Sequence, residues 1–366
     1  MVQIVNQPKF LTEENYVIEL NNYLSRAKKV EGLVSVVTLG SVGAPGLSDL
    51  DVICVVEDDS RANDLYPLRV SKKDHERGIF IHPPIIIPKS LFKEIDYIFP
   101  VSNLVDCYGL SLASEKSTLA RDVEKSLSLV YLMDFTFSRL LQHSVVRANN
   151  IVEKRNWLTR LWSLTHTQRL CNDVGLVLKP SWESLLSEIR DVRKKWNSGV
   201  ECSDEKFWNL YQRLFCVHLQ LLPEIFKKEL EFLELNKPSL DLRFGNKNKR
   251  IFCKSSVKFP LPINHYTKYW SSVLKINYQT LFSPIEYSLR LAHYGFSTSA
   301  DLTLSDNSYG QILKKRGALV RRYNEFLDNA GITFSLRGNL GLPVKNESFI
   351  FDLIHEAFWL IQRYKK

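Results

Sequence analysis

A pair of aspartates constrains this chain more than any other feature. In Asp49-Leu50-Asp51-Val52, two carboxylates alternate with two apolar side chains at the head of the run DLDVICVV. β-Branched and apolar residues favour a strand over residues 49–56. Alternate strand residues share a face, so Asp49 and Asp51 project together, about 7 Å apart at a rise of roughly 3.3 Å per residue. Leu50 and Val52 point into the core. Like charges held that close repel unless a cation lies between them. Oxygen ligands on a rigid strand suit Mg²⁺, with Mn²⁺ as the alternative ion.

The residues upstream supply a second element. Thr12 is positioned to cap a helix over residues 12–30, with Glu13 and Glu14 favourable in its first turn. The run LVSVVTLG (33–40) predicts a strand and SVGAPGLS (41–48) a loop. The small pair Gly40-Ser41 lets a phosphate approach backbone N–H groups closely, and Ser48 at the far end of the loop adds a hydroxyl. Two further strands are expected at 77–90, interrupted by Pro83 and Pro84, and at 103–109.

The pattern changes near residue 115. Residues 124–175 predict one long helix or two, and further helices are expected from residue 181 and around 204–234, 284–295, 306–329 and 346–364. Ser181 with Glu183, or Ser184 with Glu188, serves as the start signal for the helix at 181. LRFGNKNKRIFCK (242–254) reads as a β-hairpin. The expected fold class is therefore α+β: a mixed sheet with flanking helices in residues 1–115, then a mostly helical domain in 116–366.

The stretch LGSVGAPGLSDLDVICVV (39–56) resembles the signature of the polymerase-β-like nucleotidyltransferase superfamily. That signature is an apolar residue, Gly-Ser, a spacer of roughly 7 to 13 residues and Asp-apolar-Asp-apolar. The resemblance covers about residues 10–110, and the helical second half is similar in kind to that of antibiotic adenylyltransferases. It implies a Mg²⁺-dependent transfer of a nucleotidyl group from a nucleoside triphosphate, ATP among them, to a hydroxyl acceptor. Asp49 and Asp51 would hold the metals, and Gly40 and Ser41, with help from Ser48, would cradle the β- and γ-phosphates. A small molecule or sugar is the favoured acceptor, with nucleic acid ends or another protein as alternatives.

The resemblance also implies a third carboxylate on a neighbouring strand. Three residues compete for that place: Asp106 in NLVDCYG, Asp96 in KEIDYIFP, and His82 in GIFIHPPIIIP. A histidine there would act as a general base or as a nitrogen ligand to a softer metal. The incomplete set leaves two alternatives to an active nucleotidyltransferase. One is a degenerate copy that binds a nucleotide or phospholigand as a regulatory module. The other is altered transferase chemistry through His82.

Composition adds direction. The formal net charge of +9 favours anionic partners. Lys89, the basic hairpin (Lys247, Lys249, Arg250, Lys254, Lys258) and the helix 309–327 (Lys314, Lys315, Arg316, Arg321, Arg322) either meet phosphates or face solvent. The last apolar pattern, 346–364, reads as core packing. Cys54, Cys107, Cys171, Cys202, Cys216 and Cys253 match no zinc spacing and read as reduced, buried thiols. His75 and His82 form no metal pair at helical spacing. The N-terminal segment lacks the pattern of a signal peptide and no run of about 18 apolar residues occurs, so a cytoplasmic protein without a membrane span is expected. A P-loop, a Rossmann fingerprint and a Gly-x-Ser-x-Gly elbow are all missing from the sequence.

Overall fold

A computed structural model describes residues 2–71, 74, 78–232, 239–244, 247–252 and 308–336. Within them the chain is α+β, with a mixed sheet, flanking helices and a largely helical region. Helix α1 (Glu13–Ala27) opens on a reciprocal cap: the Asn15 N–H donates to Thr12 Oγ1, and the Thr12 N–H donates to Asn15 Oδ1. The sheet follows, in the order β4 (Ile85–Pro88), β3 (Asp51–Val56), β2 (Leu33–Leu39), β5 (Val105–Gly109). β2 runs antiparallel to β3 and β5, whereas β3 and β4 are parallel. Val36, Val37, Ile53, Cys54, Val55, Ile86 and Ile87 are wholly buried. These strands are covered on both faces, which is why they read as continuous apolar runs without alternation.

β3, β4 and β5 are shorter than the sequence suggests, β5 starting at Val105 and not at 103. β3 begins at Asp51, so Asp49 and Leu50 precede it; the Leu50 N–H donates to the Ile79 carbonyl instead of to a strand partner. The expected strand 77–90 contracts to Ile85–Pro88, because Pro83 and Pro84 have no N–H to give to a ladder.

The helical region departs further. Helix α2 (Arg121–Asn149) stops at Asn150, which adopts a left-handed conformation (φ 54°). The chain then forms β6 (Ile151–Glu153), parallel to β1 (Gln3–Val5), before α3 (Lys154–Trp162) and α4 (Leu164–Asp173). The single or double helix expected over 124–175 is thus three helices and a strand. α5 (Pro180–Asn197) starts on Pro180 with no side-chain cap, so neither serine start signal operates. α6 (Asp204–Phe232) packs on α2, α3 and α5. α7 (Ser308–Ala330) packs on α2 and on the one-turn helix Ile95–Ile98. β7 (Ser239–Phe244) and β8 (Lys247–Phe252) form the expected antiparallel hairpin. The helices expected at 284–295 and 346–364, and His75, lie outside the described residues.

The buried apolar residues join into one cluster that extends on both sides of residue 115, from Tyr16 to Ile332. Cys54, Cys171 and Cys202 lie within it, but Cys107 is only half-buried and Cys216 is exposed; Cys253 lies outside the described residues. Cys216 falls on the outward side of α6, where its apolar neighbours in sequence do not shield it. No described helix is long and apolar enough to cross a membrane.

Candidate metal centre

Three elements meet at one end of the sheet. β2 ends beside Asp51 through the Leu39–Asp51 register. The loop 41–48 returns the chain to Asp49. The segment before β4, aligned by the parallel β3–β4 pairing, brings in His82. Ligand-capable atoms of Asp49, Asp51 and His82 lie within 4.8 Å of one another. His82 Nε2 is 2.5 Å from Asp51 Oδ1 and 3.9 Å from Asp49 Oδ2. All three side chains are part-exposed, with 22% of Asp49, 26% of Asp51 and 33% of His82 open, so a ligand can reach them.

The imidazole is oriented by its other nitrogen, which lies 3.0 Å from the Pro83 carbonyl. With Nδ1–H donating there, Nε2 is left to face the carboxylates, the arrangement that prepares a histidine to ligate. Asp51 Oδ1 is buried and receives no aligned hydrogen bond among the described residues. Burial and then the charge of Asp51 raise the pKa of Asp49, against the pull of His82 and Arg155. Burial works against a charged His82, but Asp51 and Asp49 outweigh it and push its pKa up to about 10. Two carboxylate oxygens and an imidazole nitrogen fit a divalent cation that accepts nitrogen, and such an ion would relieve the repulsion that raises Asp49.

The other candidates for the third place are used elsewhere. Asp106 lies on β5 opposite Val37. Its carboxylate accepts from the Ser111 hydroxyl at 2.7 Å and from the Leu112 and Ala113 N–H groups at 3.0 Å. Partial burial opposes these bonds, yet they hold it below the usual carboxylate range. Asp96 sits in the buried one-turn helix and pairs with Lys116 at 2.9 Å; burial outweighs that partner and raises its pKa. Neither belongs to the cluster of Asp49, Asp51 and His82.

Gly40 has a positive φ of 80° with open space where a side chain would stand, and Ser41 is exposed. Ser48 differs: it is 5% exposed and its atoms are engaged. Its Oγ accepts from the Ala44 N–H at 3.1 Å and from Arg193 at 2.6 Å. Its carbonyl accepts from Tyr16 and Arg155, both at 2.6 Å. The loop is therefore fastened from the helical region. Trp196 Nε1 donates to the Pro45 carbonyl and Thr159 Oγ1 to the Leu47 carbonyl, while Arg155 also bridges to the Gly78 carbonyl. A buried loop has to satisfy its carbonyls in this way.

Sequence reasoning missed Arg155 and Arg193, although each carries a signal. Arg193 shares an apolar stripe with Ile189 and Trp196, and Arg155 shares one with Leu158; all five are buried. An arginine on the inward stripe of a helix has a buried acceptor to find.

Lys89, Lys315 and Arg316 stand away from this end of the sheet or have local partners. Lys89 follows β4 at the opposite sheet end from Asp51. On α7, Arg316 is buried in an ion pair with Asp134 at 2.7 Å, and Lys315 pairs with Glu94 at 2.9 Å; Arg321 and Arg322 are exposed. Arg316 thus belongs to the core and not to a solvated or cleft-lining face. In comparisons with known proteins, no family model, curated protein or solved structure matches the chain.

Proposed function

We propose that the protein transfers a nucleotidyl group from a nucleoside triphosphate to a hydroxyl acceptor, with a divalent cation held by Asp49, Asp51 and His82. The convergence of these three side chains within 4.8 Å, next to the open Gly40-Ser41 corner, carries the reading. A bound divalent ion supplies Lewis-acid activation of the phosphoryl group and neutralises charge on the leaving pyrophosphate. Asp49 and Asp51 hold it, and His82 completes the donor set. Gly40 and Ser41 offer backbone and hydroxyl donors to the phosphates. Ser48 acts through position, as the buried anchor of the loop that sets Asp49. A small molecule or sugar is the favoured acceptor. The resemblance of residues 39–56 to the polymerase-β-like signature supports the same reading.

The imidazole in the donor set favours Mn²⁺ over Mg²⁺, because nitrogen ligands suit the later ion better than they suit magnesium. The test incubates the protein with each labelled nucleoside triphosphate, Mn²⁺ or Mg²⁺ and candidate acceptors, and measures pyrophosphate. Release that disappears in Asp51→Ala supports the transferase. Nucleotide binding without turnover under either metal would replace it by a regulatory nucleotide-binding module.

A further inference from the structure

Positive charge gathers behind Asp49 from three helices. Arg155 and Arg193 are 4% and 7% exposed, yet their guanidinium groups meet neutral acceptors. Arg155 donates to the Ser48 and Gly78 carbonyls and to Thr159 Oγ1. Arg193 donates to Ser48 Oγ and stacks 4.3 Å from the Trp162 ring centre. Arg139 reaches the same place from α2. Its Nη2 donates to Ser163 Oγ at 3.3 Å, the residue after Trp162, and its Nη1 donates to Gln142 at 2.9 Å. Arg160 lies on the same turn, with its carbonyl accepting from the Ser163 hydroxyl.

Among the described residues, no carboxylate forms an ion pair with Arg139, Arg155 or Arg193, and the Nε atoms of Arg139 and Arg155 are buried without a hydrogen-bond partner. Buried cations are ordinarily matched by anions, because neutral acceptors replace only part of the lost hydration. Asp49 is the carboxylate within electrostatic reach of Arg139, Arg155 and Arg193, and a divalent ion beside Asp49 would cancel its charge. Burial and then the charge of Arg160 draw the pKa of Arg139 down to about 9, and burial draws Arg193 down to about 10. The patch is reachable: Arg139, Gln142, Arg160, Trp162 and Ser163 are each only half-buried.

We propose that Arg139 and Arg193, braced by Arg155, form a subsite for a phosphate group carried by a substrate next to Asp49. Planar guanidinium forks match phosphate oxygens two at a time, and a phosphate supplies the missing anion. On the transferase reading, on which this assignment of its source rests, the phosphate belongs either to the nucleoside triphosphate or to a phosphorylated acceptor.

The full-length protein is titrated calorimetrically in EDTA with pyrophosphate, ATP, adenosine and glucose 6-phosphate, so that binding is read without metal or turnover. The subsite predicts binding of pyrophosphate, weakened roughly tenfold by loss of one charged donor in Arg139→Gln and largely kept in Arg139→Lys. If the phosphate comes from the nucleotide, ATP weakens in parallel and glucose 6-phosphate binds poorly. If it comes from the acceptor, glucose 6-phosphate weakens and ATP is unchanged. Circular dichroism checks the fold, and Arg193→Gln replaces Arg139→Gln if the latter unfolds. Absence of metal-free phosphate binding, or binding equal in the folded arginine variants, overturns the subsite. Either result is independent of whether pyrophosphate is released in the transferase assay.

Discussion

His82 Nε2 stands 2.5 Å from Asp51 Oδ1 while its Nδ1 is held at 3.0 Å from the Pro83 carbonyl. The ring is thus fixed by its neighbour in sequence and aimed at a carboxylate on β3. If this pair shares a cation with Asp49, its selectivity follows the imidazole. Wild-type protein is expected to bind Mn²⁺ more tightly than Mg²⁺ in calorimetric titration. His82→Ala should weaken Mn²⁺ by at least about tenfold, as expected for loss of a directly ligating group when outer-shell losses alone reach that size. His82→Asp should narrow or reverse the preference, because a third oxygen suits Mg²⁺. Equal affinities in all three proteins would remove His82 from the metal set.

Arg193 and Ser48 make the clearest link between the helical region and the loop before Asp49, at 2.6 Å and almost fully buried. Ser48→Ala leaves the Arg193 fork and the Ala44 N–H short of an acceptor. A buried hydrogen bond to a charged group contributes about 1.5–3 kcal/mol, so urea unfolding should show a loss of that size. Activity should fall further than the folded fraction, since Asp49 follows directly on the loosened residue. An unaltered urea midpoint would mean that water or another group satisfies Arg193.

Local signals made part of this arrangement readable from sequence. Thr12 and Asn15 cap α1 within four residues, β-branched runs mark β2 and β3, and the hairpin of β7 and β8 follows from its polar turn. The proximity of Asp49 and Asp51 was readable too, although Asp49 reaches the site from just before the strand and not along it. What escaped depends on distant partners. Helix α2 ends where Asn150 turns left-handed and residues 151–153 pair with residues 3–5, a contact that leaves no trace in the periodicity of 124–175. The approach of His82 to Asp51 depends on the parallel alignment of β4 with β3. Asp106 looked suited to the site from its strand setting, but no pattern could reveal that Ser111, Leu112 and Ala113 occupy its oxygens. Arg155 and Arg193 act across the boundary drawn at residue 115, where composition changes but buried contacts do not stop.

Asp74 gives a pH dependence of known sign. Burial raises its pKa, but the bonds from Arg26 and from Ser71 overcome that and hold it below the ordinary 3.8. Arg26 lies 2.9 Å away. A carboxyl with a depressed folded pKa adds stability above its unfolded pKa, and that stability is lost as pH falls through the folded value. Unfolding free energies measured from pH 6 downward should therefore begin to decline near the ordinary carboxylate value and continue below it. Asp74→Asn should be less stable at pH 6 and show a shallower decline. Parallel curves for the two proteins would show that Asp74 does not contribute to acid sensitivity.

Two glycines in the loop region separate structure from chemistry. Gly46 has φ 89°, and a Cβ there would stand 2.0 Å from the Lys9 carbonyl oxygen and 3.1 Å from Trp196. A left-handed residue with a side chain costs about 1–3 kcal/mol before any clash, so Gly46→Ala should exceed that range and lower the thermal midpoint sharply. Gly40 has φ 80° but open space around the same position. Gly40→Ala should incur only that backbone part, about 1–3 kcal/mol, and remain folded. If Gly40-Ser41 receives phosphates, the added methyl group blocks their approach. Pyrophosphate release should then fall in Gly40→Ala with an increased KM for the nucleotide, whereas Gly46→Ala loses activity in proportion to its folded fraction. Thermal melts and steady-state rates on the same preparations decide it: a Gly40→Ala protein that is folded and kinetically normal places the phosphates away from this corner.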